Sequence, residues 1–275
     1  MRRVLLIEPQ AESRGALESL FELPAWEVVY AQDNEAALEQ AKAECFDLIV
    51  TNAETSGAED IVLLRKLRSV RPHTRLVILT KQKMPGDVLN ALRYHAFSYF
   101  TVPVPREDLR VLIEDIVNAP AWDDGIELLQ GTQEYVVVAV RCDLGTLDRL
   151  VQFVRAGVDF PEAEKEEVAF AFREIVLNAM EHGGRFDPEK FVEVCYLKSK
   201  RQVTCRVKDP GEGFSLEEVM SAQKARPLPE VDGRGDSEQD LGGLGILLAR
   251  HYVDELIYNE SGNEVFLVKW LPPCS

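Results

Sequence analysis

The stretch FREIVLNAMEHGG, residues 172–184, has the residue spacing of an amphipathic helix. Phe172 and Ile175, with further apolar residues at intervals of three and four, mark a helix face that packs against a sheet. The pattern extends upstream to Pro161, a residue type favoured in the first turn of a helix. It therefore predicts one long helix over residues 161–183.

The polar positions of this helix form a second pattern. Glu174, Asn178 and His182 are spaced four residues apart, and each step of four advances about 40° around a helix, so they form one slanted stripe. The Asn178 amide can supply an oxygen ligand to Mg²⁺, and Glu174 can act as a general base. A solvated helix face has the same pattern, so the stripe alone leaves both interpretations open.

A glycine-containing segment follows the predicted strand at 202–209. It reads DPGEGF, residues 209–214. Asp209 can accept a hydrogen bond from an exocyclic amine, and Gly211 and Gly213 allow the backbone to approach a flat base. An ordinary acidic turn is the alternative interpretation.

A second glycine segment, GGLG at residues 242–245, opens a helix predicted over residues 244–256. Gly243, Leu244 and Gly245 would expose backbone N–H groups and the positive end of that helix to phosphate. A tight loop that needs glycine for its backbone conformation is the alternative, since such motifs are weak by themselves.

The rest of this half predicts helices grouped against a hairpin-rich sheet. Pro, Gly and acidic residues interrupt the chain near residues 120–125, which we interpret as a linker between domains at 1–119 and 126–275. Further predicted elements are strands at 134–142, 191–199 and 264–271 and a helix at 146–157. The fold class predicted for this half is an α+β sandwich with a mixed sheet.

Taken together and in this order, the three segments resemble the N-box and the two glycine boxes of the Bergerat-fold (GHKL) ATPase superfamily. The resemblance covers residues 126–272 and implies an α/β sandwich that binds ATP with Mg²⁺. It implies these roles: Asn178 for Mg²⁺, Glu174 as general base, His182 within the N-box, Asp209 for the adenine amine, Gly211 and Gly213 beside the base, and Gly243, Leu244 and Gly245 at the phosphates. The polar stretch 223–240 would be a lid over the nucleotide.

The N-box pattern E-x-x-x-N-A-x-x-H-G is similar to that of the anti-sigma-factor serine/threonine kinases. This resemblance implies phosphorylation of a small anti-anti-sigma (STAS) partner and, in many members, sequestration of a sigma factor. A module that binds nucleotide and switches partners without phosphotransfer is the first alternative. A histidine-kinase-like two-component protein is the second, although no phospho-acceptor histidine stands on a helical hairpin ahead of this half.

The first half alternates short apolar runs with amphipathic segments, which predicts a doubly wound, five-stranded parallel (βα)5 domain. The predicted strands are 4–7, 26–31, 47–51, 75–80 and 98–102. The predicted helices are 12–22, 34–44, 60–70, 87–95 and 106–118.

These βα units resemble a response-regulator receiver domain. The position of the phospho-accepting aspartate holds Asn52, the acidic pair is reduced to Glu8, the switch hydroxyl is Thr80, and Val102 stands where a lysine is expected. We therefore expect a pseudo-receiver that is not phosphorylated by the usual route. Its expected role is dimerisation, giving a homodimer, or the docking of a partner.

Composition limits the remaining possibilities. The formal net charge is −16, which argues against direct nucleic-acid binding, since that needs clustered positive charge. No apolar stretch is long enough to span a bilayer, and the N-terminus lacks the features of a signal peptide. The five cysteines show no CxxC spacing, so neither a zinc site nor a redox motif is indicated, and the odd, scattered set suits a reducing compartment. From these features together we expect a cytoplasmic protein with no membrane association.

Overall fold

The computed structural model describes residues 2–10, 18, 20–21, 26–81, 84–118, 125–157, 160–213 and 244–271. The chain divides into two compact units, residues 1–124 with 152–158 and residues 125–151 with 159–275. None of the helices in these described ranges is long and apolar enough to cross a membrane. The predicted lid at 223–240 and most of the predicted helix at 12–22 lie outside the described residues.

The first unit is built on a five-stranded sheet in the order β2-β1-β3-β4-β5, with every pairing parallel. Its elements are β1 (Arg2–Ile7), β2 (Trp26–Ala31), α1 (Asn34–Ala43), β3 (Leu48–Val50), α2 (Gly57–Val70), β4 (Arg75–Thr80), α3 (Pro85–Arg93), β5 (Ser98–Thr101) and α4 (Arg106–Asn118). The predicted doubly wound parallel fold is confirmed. The unbroken apolar runs reflect strands that are covered on both faces, as β4 is at every position.

Helix α2 begins at Gly57, earlier than the predicted start at residue 60. The cause is a capping box. Ser56 Oγ accepts the Glu59 N–H at 3.3 Å, and Glu59 Oε2 accepts the Ser56 N–H at 3.1 Å. The box satisfies backbone donors that would otherwise lack partners at the helix start.

The second unit contains a six-stranded sheet in the order β10-β11-β9-β8-β7-β6. Its elements are β6 (Ile126–Gly131), β7 (Tyr135–Arg141), α5 (Leu144–Gly157), α6 (Glu162–Asn178), a π-helical turn (Ala179–Gly184), β8 (Phe191–Lys198), β9 (Gln202–Lys208), α7 (Leu244–Tyr252), β10 (Glu255–Tyr258) and β11 (Glu264–Trp270). Of α5, residues 144–151 belong to this unit and residues 152–157 to the first. The predicted sandwich of helices and sheet is confirmed.

The prediction of a mixed sheet is wrong, because every pairing between the described strands is antiparallel. Hairpins join β6 to β7, β8 to β9 and β10 to β11. Two helices, α5 and α6, lie between β7 and β8. A pair of helices returns the chain to the end of the sheet that it left, so β8 runs antiparallel to β7.

Two strands were missed in the sequence. Strand β6 lies where the sequence predicted no element. Strand β10 begins at Glu255, inside the helix predicted over residues 244–256, and continues two residues beyond it. Residues 255–258 instead pair with β11, and the Trp270 N–H donates to Asp254 Oδ2 at 2.6 Å just before β10. The apolar spacing that predicted a longer helix serves an edge strand here, since sheet pairing outweighs weak local preference.

Helix α6 buries the face predicted from its apolar spacing, including Val168, Phe172 and Ile175. It then continues into the π-helical turn at 179–184. The turn ends at Arg185, which has a left-handed backbone conformation with φ of 59°. π-helical turns are frequent at functional sites, and this one ends beside a cleft.

Candidate functional site

A cleft of about 660 Å³ opens in the second unit beside the end of α6. Its walls are α6 with its π-helical turn, the loop that follows β9, the start of α7, and the turn between β10 and β11. The predicted site residues that line it are Asn178, His182, Asp209, Gly211 and Gly213. Segments distant in the sequence therefore meet around one cavity.

The other predicted residues of this site lie beside the cleft or outside the described residues. Gly243 is not among the described residues, and Leu244 begins α7. In the part of the chain that is described, Glu174 lies against Gly245, since a Cβ on Gly245 would come within 2.2 Å of Glu174 Oε2. Glycine at position 245 thus lets the carboxylate of α6 approach the N-terminal turn of α7.

Asp209 directly follows the last residue of β9 and lines the cleft. Its Oδ1 accepts the N–H of Gly211 at 2.8 Å. Burial raises the pKa of the Asp209 carboxyl above its usual range, while the Gly211 N–H and the nearby His182 act in the opposite direction. The hydrogen bond from the Gly211 N–H uses Oδ1, and Oδ2 is the carboxylate oxygen that could accept a hydrogen bond from a ligand amine.

Gly183, in the π-helical turn, determines how closely the helix end approaches Asp209. A Cβ on Gly183 would lie 2.2 Å from Asp209 Oδ1 and 2.4 Å from Asp209 Cβ. A Cβ on Gly211 would lie 2.8 Å from the Gly183 Cα. Only glycine at these positions allows the two backbone segments to meet, so the pair sets the position of the carboxylate.

Gly213 has a different requirement. Its φ is +85°, a backbone conformation that is strained for residues with a side chain. A Cβ there would lie 1.8 Å from the carbonyl oxygen of Ser261. The loop after β9 is therefore held against the turn between β10 and β11 at this glycine.

Asn178 fits the role of a ligand or metal contact. Its Nδ2 is buried and has no hydrogen-bond partner among the described residues. Which amide atom points inward depends on a rotation that exchanges nitrogen and oxygen, and in either orientation a buried polar atom needs a partner. A phosphate oxygen would satisfy the nitrogen, and Mg²⁺ would satisfy the oxygen.

The remaining walls suit a nucleotide. Ile175, Val207, Ile246 and Val265 supply apolar surface for a flat base. The cations Arg185 and Lys190 also line the cleft and moderate the negative charge of the chain locally. The donor set is amide, carboxylate and glycine backbone, so the site fits ATP with Mg²⁺.

Several of these residues escaped the sequence analysis. Arg185 and Lys190 follow the helix without a motif. Asn263, in the turn before β11, also lines the cleft, and the turn-forming composition of residues 259–263 is the signal that could have indicated this segment. Gly183 stood within the N-box pattern but had no role assigned.

The second candidate site lies in the first unit, at the carboxyl ends of β1 and β3. Asn52 Nδ2 donates to Glu8 Oε2 at 2.9 Å, and Asn52 Oδ1 accepts the Glu54 N–H at 2.6 Å. Glu8 Oε1 accepts the Gln10 N–H at 2.9 Å. The Asn52 amide and the Glu8 carboxylate are thus hydrogen-bonded to each other and to backbone N–H groups.

The other two positions of this site also lie near each other. Thr80 is buried at the end of β4, and its carbonyl accepts the Val102 N–H at 2.9 Å. Val102 supplies no cation, but Lys81 follows Thr80 and forms an ion pair with Glu54. This cation was not anticipated from the sequence, where only position 102 was considered.

Asp60 in α2 is an unanticipated buried carboxylate beside this site, with 0% of its surface exposed. It accepts hydrogen bonds from Asn34 at 2.8 Å, Thr51 at 2.8 Å and Thr55 at 2.9 Å. Burial raises its pKa to about 6, against the opposing effect of these donors. The folded unit therefore holds a proton on Asp60 more tightly than the unfolded chain does.

This raised pKa has a definite sign for stability. The contribution of Asp60 to the free energy of unfolding is fully present below pH 3.8 and falls as the pH rises to about 6. Above that pH the contribution is lower by about 3 kcal/mol and no longer changes. We expect Asp60→Asn to abolish this dependence. Hydrogen exchange of β1 and β4 peptides in the full chain at increasing urea, from about pH 4 to about pH 7, measures the local stability. Parallel pH profiles for wild type and variant would contradict the assignment.

Comparison with known proteins finds one matching domain family in each half of the chain. Residues 4–114 match the model of the response regulator receiver domain, and residues 141–269 match that of the histidine kinase-like ATPase domain. The transcriptional regulatory protein ZraR of Escherichia coli strain K12 is 22% identical over 111 residues, which are 40% of this chain and 25% of that protein. The response regulator protein FleR of Pseudomonas aeruginosa is 28% identical over 111 residues, 40% of this chain and 24% of that protein. This chain thus matches about a quarter of the length of these relatives.

Similar solved structures include receiver domains and response regulators. One is a CheY-like response regulator receiver domain protein from Methanospirillum hungatei JF-1, with a TM-score of 0.39 and 21% identity, covering 43% of this chain and 94% of that one. Another is a response regulator from Thermotoga maritima, with a TM-score of 0.39 and 19% identity, covering 43% of this chain and 99% of that one. From the two matched models, the chain combines a response regulator receiver domain with a histidine kinase-like ATPase domain.

Proposed function

We propose that this chain is a signalling protein that binds ATP with Mg²⁺ in its second unit and transfers phosphate to a serine or threonine of a protein partner. The observation that carries the proposal is the convergence of Asn178, Asp209 and the glycine backbone on one cleft, with Glu174 next to it. Adenine would be recognised by Asp209, Mg²⁺ would be held by Asn178, and ATP would supply the phosphoryl group.

Glu174 is the candidate general base of this proposal. Its carboxylate lies at the N-terminal turn of α7, the end of a helix that attracts phosphate. There it would accept the proton of the partner's hydroxyl. The partner class we propose, from the N-box pattern, is a small anti-anti-sigma (STAS) protein, with a sigma factor as a second binding partner.

The experiment is incubation of the full chain with γ-labelled ATP, Mg²⁺ and a STAS protein encoded near it. We expect label on a serine or threonine of the STAS protein, located by mass spectrometry of its peptides. Label on a histidine or an aspartate would instead favour a two-component phosphorelay. Absence of transfer to each tested STAS protein, with ATP bound, would reject the kinase proposal.

A second candidate function is a nucleotide-dependent switch that binds its partner without phosphotransfer. The observation that favours it is the position of Glu174 beside the cleft lining, where Arg173 lies 3.8 Å from its Oε1. A carboxylate engaged in this way can stabilise the helix end without acting as a base. Partner affinity that differs between ATP and ADP, without transfer, would support this function.

For the first unit we propose a regulatory or docking role without phosphorylation. The reason is that the side-chain amide of Asn52 is a very poor phosphate acceptor and already donates a hydrogen bond to Glu8. Incubation with labelled acetyl phosphate and Mg²⁺ should leave the chain unlabelled. Stoichiometric labelling that disappears in Asn52→Ala would reject this proposal.

A further inference from the structure

The turn between β10 and β11 is braced by two asparagine side chains. Asn259 Nδ2 donates to Asn263 Oδ1 at 2.9 Å. Asn259 Oδ1 accepts the backbone N–H groups of Asn263 at 3.1 Å and Glu264 at 3.2 Å. Gly262 completes the turn with φ of +73° and donates its N–H to the Asn259 carbonyl at 3.1 Å. Asn259 therefore orients the side chain of Asn263.

The same turn contacts the loop that carries Asp209. The Asn263 carbonyl accepts the Asp209 N–H at 3.0 Å, and Asn263 Nδ2 donates to the Gly211 carbonyl at 3.3 Å. The Ser261 carbonyl lies against Gly213. Alternate residues of the loop, at 209, 211 and 213, are thus each held by the turn.

These contacts differ from those of an ordinary hairpin turn. The turn itself is closed by the Asn259 carbonyl and side chain. The bond from Asn263 Nδ2 to Gly211 adds nothing to that closure, because it leaves the hairpin and crosses to a loop distant in the sequence. Gly211 in turn donates to Asp209 Oδ1, so a shift of Gly211 moves the donor that orients the carboxylate.

We infer that Asn263, oriented by Asn259, is a positioning residue that sets the place of the Asp209 carboxylate and thereby the preference of the cleft for a base with an exocyclic amine. The inference rests on the proposed ATP binding and adds the determinant of base selectivity. Asn263 acts through Gly211 and Asp209, so its removal should affect ligands that use the Asp209 carboxylate and spare those that do not.

The probe pair is ATP and purine riboside 5′-triphosphate, which lacks the exocyclic amine. Dissociation constants are measured by calorimetry on the full chain with Mg²⁺. Wild type should bind ATP at least about 10-fold more tightly, the value expected for a hydrogen bond to a charged group. In Asn263→Ala this ratio should fall to about 1 to 3, while the affinity for the purine analogue changes by less than about 3-fold.

The controls separate positioning from stability. Ser199→Ala removes the side-chain oxygen that accepts the Arg201 and Gln202 N–H groups in the β8–β9 turn of the same sheet, and it should leave the ratio unchanged. Asn259→Ala, which does not touch the loop, should lower the ratio as Asn263→Ala does and serves if that variant fails to fold. In Asp209→Asn, adding Asn263→Ala should produce no further loss of ATP affinity.

An unchanged ratio in both asparagine variants, or a Ser199→Ala ratio that falls equally, overturns the inference. Failure of the proposed function looks different. In that case wild type binds neither triphosphate, or its ATP affinity is unaffected by Asp209→Asn.

Discussion

Glu174→Gln should reduce phosphotransfer to the partner by about 10²- to 10⁴-fold, the usual contribution of a general base, while ATP affinity stays within about 3-fold. Glutamine keeps the shape of the side chain but cannot accept the hydroxyl proton. ATP affinity should persist because Glu174 is not among the described residues that line the cleft. Single-turnover transfer and calorimetric ATP binding, measured on the same preparation, check both parts.

The matched control is Glu167→Gln, which removes the same charge from the same helix at a position outside the cleft lining. It should transfer phosphate as wild type does. Equal rates for Glu174→Gln and wild type would remove Glu174 from the chemistry and favour the switch without phosphotransfer. Equal losses in both variants would point to the total charge of α6 rather than to one base.

Gly183→Ala should lower ATP affinity by about 100-fold, which corresponds to loss of a good hydrogen bond to the Asp209 carboxylate. The added Cβ would lie 2.2 Å from Asp209 Oδ1 and 2.4 Å from Asp209 Cβ. Either the carboxylate or the end of the π-helical turn must move, because the added Cβ meets the Asp209 Cβ as well as its carboxylate oxygen. Rotation of the carboxylate cannot relieve both contacts. Calorimetric titration with ATP measures the loss.

Glu181→Ala is the control for this change, since Glu181 is an exposed residue of the same turn. It should bind ATP as wild type does, apart from a small effect of its charge. Circular dichroism and thermal unfolding establish that Gly183→Ala is folded. ATP affinity equal to wild type in folded Gly183→Ala would contradict the assignment of Asp209 as the base-recognition residue.

The sequence predicted the elements whose pattern is set by local burial. β4 is buried at every residue, and its unbroken apolar run predicted a strand covered on both faces. The buried face of α6 followed from the spacing of Phe172 and Ile175. The start of α2 was predicted too late, although the serine and glutamate of its capping box have the standard spacing and could have indicated it.

Elements at the edge of the second sheet were harder to predict. β6 consists of partly buried and exposed residues, so its apolar signal is weak, and β10 alternates the same two classes. Both exist because a neighbouring strand offers backbone partners. That partner is not part of the local sequence, and no periodicity within the segment reports its presence.

The candidate site divides in the same way. Residue types and their order in the N-box and glycine segments predicted an ATP site with Asn178 and Asp209, and these two residues line one cleft. Tertiary structure alone placed Glu174 against Gly245, Gly183 against Asp209 and Asn263 against Gly211. The physical reason is that local periodicity determines which face of an element is buried, whereas a contact between distant segments depends on how the whole sheet and its helices pack together.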